Sequence, residues 1–494
     1  MSRRRAALAL LAACSLSVQT LPAVAAPDVA TVVSVTQLPP PPPHEWPSLQ
    51  TSLNENRVHG NGLVSMPVLQ TYLNGLYAKI KASAGVPEWP GEVYISADTT
   101  LNAHSSASGN LFLHIALIQS AESEDEIYAV LAHEFAHVYL NHQATYETHT
   151  TAANLSAVGK LVGLLAGKIN PAAGSAASWG LADTIGAADS MAHDALIPVW
   201  QRDVEAQADM AGVYLTMQAN YSYPAGFKTF LERLATIEAR DAAVAAAAAS
   251  AAAAAGTNAG PGPGAPRRTH ASAQEREAVL TAQVAPFLPR PRPAVRKAPW
   301  QAALRDPQTA EILAHFALLP VIAQKQAAGR LGEALQLAKQ GASGATEGDA
   351  TMLLTLQNAM RLTGAPQTEQ GMVLMKNREW KQPSWNALRQ GTYLIFLPGQ
   401  PARGKEMIEL LYAYFYEPPA AMPDVIAFYT AIGEVPAKTA LLLRCSLNGN
   451  YRAACGDAAK TEQERQQDIA KQKAREEQLG NNGAEKIKKF FKLK

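Results

Sequence analysis

The run His133-Glu134-Phe135-Ala136-His137, inside the segment 124–142, decides how this 494-residue chain is read. On a helix, side chains four positions apart lie within about 40° of each other, one turn above the next. His133 and His137 therefore project from one face and can close on a single metal ion, with Glu134 beside them. Ile127, Val130, Leu131, Val138 and Leu140 form an apolar stripe that predicts an amphipathic helix burying its ligand face. Glu122, Glu124, Asp125 and Glu126 crowd the predicted N-terminus, where the helix dipole favours them, and Ser123 is the candidate N-cap.

A hydrolytic metal site needs a third protein ligand and an open position for water. The segment Arg202-Asp203-Val204-Glu205-Ala206-Gln207-Ala208-Asp209 supplies the missing pieces. Glu205 and Asp209, four apart, share a helix face; Glu205 can ligate the metal while Asp209 accepts the outer N–H of a ligand imidazole. An ordinary solvated face would show the same spacing, so the metal role rests on the two motifs together. They imply one Zn2+ per chain, held by His133, His137 and Glu205, with Glu134 placed to take a proton from water. His104, His114, His142 and His149 are read as satisfied polar or surface histidines, because three ligands are already assigned.

Composition narrows the remaining classes. A formal net charge of +1, with 17% charged residues and no basic stripe interleaved with aromatics, argues against nucleic acid as a partner. Arg3-Arg4-Arg5, the apolar stretch that follows and Ala23-Val24-Ala25 read as a secretory signal, so the mature protein is expected to be exported. A competing reading takes Leu11-Ala12-Ala13-Cys14 as a lipoprotein box that would acylate Cys14. In an oxidising compartment Cys445 and Cys455 are candidates for one disulfide closing a small loop. No uninterrupted apolar segment of about 20 residues follows the signal, so no membrane span is expected.

The chain divides by composition into a signal at 1–25 and a proline-rich, polyproline-like leader at 26–50. A metal-site domain follows at 51–285, with a low-complexity Ala/Gly/Pro insert at 242–266. A proline-rich linker at 286–299, a helical-repeat domain at 300–460 and a charged tail at 461–494 complete it. Within the second part, a helix from Pro67, short strands at 93–95 and 111–115, and a polar loop at 102–110 precede the metal helix. Ala/Gly/Ser-rich residues 151–200 are expected to pack partly over the site. Beyond Trp300, helix pairs recur at about 35 residues, the period of degenerate tetratricopeptide-like hairpins.

These residues resemble the gluzincin peptidases of the CAAX prenyl protease and heat-shock protease type, especially soluble periplasmic members. That family carries HExxH followed by a further His, here His142, and ExxAD preceded by Arg, here Glu205 to Asp209 after Arg202. Its Asn-Ala loop and following Gly and edge strand correspond to Asn102-Ala103 and Gly109-Asn110-Leu111-Phe112-Leu113. Its Thr-His-Pro-Ser segment ending in Glu-Arg corresponds to Thr269-His270-Ala271-Ser272 with Glu275-Arg276, alanine standing where proline is usual. The resemblance covers about 50–285.

It implies an α+β, mainly helical zincin metallopeptidase domain with a small edge-strand sheet, ahead of the all-α repeat domain read from the helix spacing. It also implies His270 near the oxyanion and an extended substrate paired with an edge at Leu111, Phe112 and Leu113, near Asn102 and Ala103. Expected partners are polypeptide substrates and, through the C-terminal helices, outer-membrane assembly machinery. The alternative from another class is a chaperone or scaffold in which zinc only stabilises the fold; the intact Glu134 weighs against it.

Overall fold

A computed structural model describes residues 33–58, 62–143, 197–254, 272–448, 450–471 and 474. The signal, Cys14, residues 151–196, His270 and the end of the charged tail lie outside the described residues. In chain order the first part contains α1 (Leu49–Val58), β1 (Leu63–Val64), α2 (Pro67–Ser83), β2 (Val93–Ser96) and β3 (Ala103–Ser105). It continues with β4 (Leu111–His114), α3 (Ile115–Ser120), α4 (Glu124–Tyr139) and α5 (Ile197–Gln218). A π-helical turn, Pro224–Lys228, then leads to α6 (Thr229–Ala254) and α7 (Ala273–Val284).

The metal helix, α4, begins where the sequence places it, with the Ser123 hydroxyl accepting from the Glu126 N–H. It is not amphipathic. Every residue except His137 is buried, so the helix is the centre of the domain rather than a surface element. Tyr128, Leu131 and Phe135 join a core with Leu73, Tyr77 and Ile80 of α2 and Val93, Leu111 and Leu113 of the sheet. Its small residues face α5: Ala129 clusters with Val213, and Ala136 with Ala208 and Ala211.

The sheet runs β1-β2-β4-β3, with β4 parallel to β2 and antiparallel to β3. Two expectations are corrected here. The segment read as a polar loop at 102–110 contains β3, which pairs Ala103 with Leu113 and Ser105 with Leu111. Leu111, Phe112 and Leu113 are therefore interior and completely buried, not an exposed edge. A strand flanked on both sides has its ladder hydrogen bonds already made and cannot take up a peptide. The uninterrupted apolar run of β4 is what burial of both faces requires.

The acidic first turn of α4 does more than complement a dipole. Glu124 accepts from the hydroxyls of Tyr72 and Tyr221, and Asp125 from the backbone N–H groups of Ser222 (2.8 Å) and Arg296 (2.6 Å). Glu126 takes a bidentate pair from Arg233 at 3.0 and 3.2 Å. Three buried carboxylates thus anchor the start of the metal helix to four distant segments.

After the proline-rich segment, α8 (Lys297–Leu304) and α9 (Pro307–Phe316) send Trp300, Ile312 and Phe316 into the same core as α4. The following helices are α10 (Leu318–Ala327), α11 (Leu331–Gly341), α12 (Ala350–Leu362), α13 (Gln367–Met375) and α14 (Trp385–Phe396). Next come α15 (Pro401–Tyr414), α16 (Met422–Ile432), α17 (Val435–Ser446) and α18 (Arg452–Ala458). From α10 to α17 each helix packs on its successor. Cys445 and Cys455 form the expected disulfide and are buried with Trp385, Phe415 and Phe428. Val58 of α1 enters that cluster, and Asn54 donates to the Phe415 carbonyl, so α1 belongs with the later helices. Among the described residues no helix is long and apolar enough to cross a membrane.

Asp125→Ala would leave two amide donors facing a buried gap. It is expected to lower stability by about 3 kcal/mol, read as a drop in the thermal or urea midpoint.

Candidate metal centre

The site forms where α5 crosses α4. A methyl group at Gly212 would lie 3.0 Å from the backbone of His133 and 2.7 Å from the Phe227 ring. The absent side chain lets the two helices approach at the first ligand. Glu205, nearly two turns earlier on α5, then faces both imidazoles.

His133 Nε2 and His137 Nε2 are 3.2 Å apart, and the Glu205 carboxylate oxygens lie 3.5 Å from the first and 3.6 Å from the second. Ligands bonded at about 2.1 Å to one tetrahedral ion sit about 3.4 Å from one another, so the donor set has the spacing such an ion imposes. His133, His137 and Glu205 are the one group among the described residues whose ligand atoms gather within 4.8 Å.

Each imidazole is oriented from behind. His133 Nδ1 is 2.9 Å from Asp209 Oδ1, which directs Nε2 at the site. His137 Nδ1 is 3.0 Å from His142 Nδ1; with the His137 proton on Nδ1 donating outward, its Nε2 lone pair faces the centre. The sequence marks His142 as a satisfied polar or surface histidine and gives no sign of this contact with His137. Asn141 takes a left-handed conformation (φ 54°) just past the helix end and turns His142 back against His137.

Arg276 makes the structural ion pairs that tie α7 to the site. A capping box between Ser272 and Glu275 starts α7, and one residue later Arg276 reaches Asp209 through two bonds of 2.9 and 2.7 Å. Its Nη1 also lies 3.4 Å from Glu205. Arg276, Asp209 and His133 thus form a buried chain of alternating charge. The Arg202 side chain lies outside the described residues.

The electrostatics follow from burial and these partners. Burial opposes a charge on His133, but the Asp209 and Glu205 carboxylates outweigh it and raise its pKa to about 10. Burial would likewise neutralise Glu205 and Asp209, yet His133 and Arg276 hold both below the usual carboxylate range. His137 is pushed down to about 3, chiefly by burial and also by His133, so it is neutral and ready to ligate. Glu134, largely buried, is pushed up to about 7, chiefly by burial and also by repulsion from Glu205, while His133, Arg276 and a Ser105 hydrogen bond pull it back down. A carboxyl poised near neutrality is suited to receive and return a proton.

The profile of Peptidase family M48 matches residues 67–284. That segment belongs to peptidase family M48. Within the M48 segment fall both histidines, Glu134, Glu205, Asp209 and Arg276, and membership supports a metallopeptidase. The chain is similar to the beta-barrel assembly-enhancing protease of Escherichia coli (strain K12), 30% identical over 174 residues. The protein of that name in Yersinia pestis is 32% identical over the same length; in both cases the match covers 35% of this chain and 34% of the relative. The mitochondrial metalloendopeptidase OMA1 of Schizosaccharomyces pombe is 28% identical over 169 residues, 34% of this chain and 45% of that protein. The chain thus spans about a third of the length of the assembly-enhancing proteases it matches.

The structure also places the remaining expected residues. Asn102 is exposed at the start of β3, and Ala103 is buried on that strand. Leu111, Phe112 and Leu113 lie one strand further in, and His270 is outside the described residues.

Two outcomes are expected. Gly212→Ala would push α5 from His133 and weaken zinc binding at least about tenfold in a competitive chelator titration, while Gly75→Ala, with open space around it, would not. Because metal-free His133 keeps its proton up to about pH 10, zinc binding at neutral pH must displace it. Zinc affinity should then rise with pH, about tenfold per unit, and calorimetry in buffers of different ionisation enthalpy should report about one proton released.

Proposed function

We propose that this chain is an exported zinc endopeptidase, one ion per chain, that hydrolyses peptide bonds of unfolded or misassembled envelope proteins in the periplasm. The observation that carries the reading is the pairing of a convergent, outwardly braced His133–His137–Glu205 donor set with the buried Glu134 carboxyl next to it. A zinc ion held there would polarise the scissile carbonyl and acidify a water molecule.

The protein's own groups do the rest. Glu134 takes a proton from the attacking water and returns it to the leaving amine, a shuttle its pKa of about 7 favours. Asp209 and His142 fix the ring orientations, and Arg276 neutralises the carboxylates behind them. His270 is the proposed donor to the oxyanion. Strand β3, at Ala103 to Ser105, replaces β4 as the place for an extended substrate to add by strand pairing. Among the described residues β3 pairs only with β4, and Ser105 hydrogen-bonds to Glu134, so a peptide there would run past the base.

We read the later helices as degenerate tetratricopeptide-like hairpins. Their alternate members begin at Leu318, Ala350, Trp385 and Met422, close to the period expected from sequence. Their surface would present a client or dock outer-membrane assembly machinery, in keeping with the names of the similar proteases.

Glu134→Gln should retain zinc and lower hydrolysis of an unfolded outer-membrane protein about 10³-fold. Wild type and variant equally inert, both binding the client, would sink the enzyme reading in favour of a zinc-stabilised chaperone.

A further inference from the structure

The proline-rich leader is not a free tether from Val33 onward. Val33 is buried in one cluster with Ala136, the neighbour of His137, and with Ala208 and Ala211 on α5. Two residues later Val35 is buried with Ala129, Val213 and Phe227. Both valines thus pack against small residues of α4 and α5 where the two helices meet.

The same segment then ties down the C-terminal turn of α4. Tyr139 donates its hydroxyl to the Pro39 carbonyl at 2.8 Å, and Asn141 donates to the Pro43 carbonyl at 3.0 Å. The His44 ring Nε2 donates to the Val138 carbonyl at 2.6 Å, an oxygen that also accepts from the Asn141 N–H at 3.0 Å where the helix ends. Trp46 and Trp89 flank that ring, with centroids 4.9 and 4.5 Å away, and hold it in place. The helical turn that carries His137 is therefore gripped by chain 94 or more residues upstream, and Val33 reaches the helix that carries Glu205.

We propose that residues 33–44 are an in-cis strap that positions the metal centre, with Val33 setting the separation of the two ligand-bearing helices and His44 fixing the turn that carries His137. Donor atoms that must sit about 3.4 Å apart around one ion tolerate little drift between their helices. The sequence of the strap fits the role. Prolines at 39 to 43 hold it extended without needing ladder partners, so its carbonyls are free to accept from α4. This inference rests on the zinc reading above.

The test uses the full chain and measures two quantities on each variant: the melting temperature without metal and the rise in melting temperature at saturating zinc. A ligand stabilises according to its own affinity, so a segment that merely adds fold stability lowers the first and leaves the second unchanged. His44→Ala and Val33→Ala are expected to shrink the zinc-dependent rise and to release zinc to a chelator about tenfold faster. His44→Gln, which keeps an N–H donor, should recover part of the loss, and Val68→Ala, exposed on α2, should match wild type. Tyr139→Phe removes a single strap bond while keeping the ring packed, and guards against a variant that fails to fold. A lowered metal-free melting temperature with an undiminished zinc response, or zinc release unchanged in all strap variants, would overturn the proposal. A wild-type protein with no zinc response would instead overturn the zinc reading.

Discussion

The structure depends on one close approach. Two helices, Glu124–Tyr139 and Ile197–Gln218, must come near enough for Glu205 to share an ion with His133 and His137. Large apolar side chains would serve the core better, yet the contact is made by Ala129, Ala136, Ala208, Ala211 and Gly212. Small residues forfeit buried area at this seam, and the deficit is met elsewhere, by Tyr77, Phe135, Trp300 and the other large side chains on the opposite side of the metal helix. The geometry of the ligands thus determines where the core is thin and where it is dense.

Charge burial is the second consequence. The metal helix carries Glu124, Asp125 and Glu126 at one end and His133, Glu134 and His137 further along, nearly all removed from solvent. Each of the first three is matched by donors from distant segments. At the site, Arg276, Asp209 and His133 alternate in sign, which allows two carboxylates to remain ionised beside a third that burial drives toward neutrality. Removing one member of such a chain leaves its neighbour buried without compensation, so these groups hold the site together as a unit.

The parts of this arrangement legible in the sequence are those whose partners sit at helical spacing. His133 with His137, Glu205 with Asp209, and Ser123 ahead of its acidic turn each announce themselves within a few residues. The parts that were not legible involve partners far along the chain. Nothing local to Glu124 or Asp125 points to Tyr221 or Arg296, and a dipole argument explains acidic first turns well enough to end the enquiry. Ala103-His104-Ser105 reads as loop because small and polar residues carry little strand signal, so β4 was expected at an edge it does not occupy. The wholly apolar Leu111-Phe112-Leu113 was the available clue, since an edge strand of that composition would be an aggregation hazard. The leader's prolines point to extended chain, but its grip on the metal helix rests on backbone carbonyls, which carry no sequence signature.

One zinc ion in the His133–His137–Glu205 set is what we propose makes this chain a peptidase. The most direct measurement is a zinc titration of metal-free protein in which bound metal and hydrolysis of an unfolded polypeptide are followed in the same samples. Activity that rises in proportion to bound zinc and levels off at about one ion per chain is the predicted result. Hydrolysis that is indifferent to zinc, or a fully loaded protein that cleaves nothing, would contradict it.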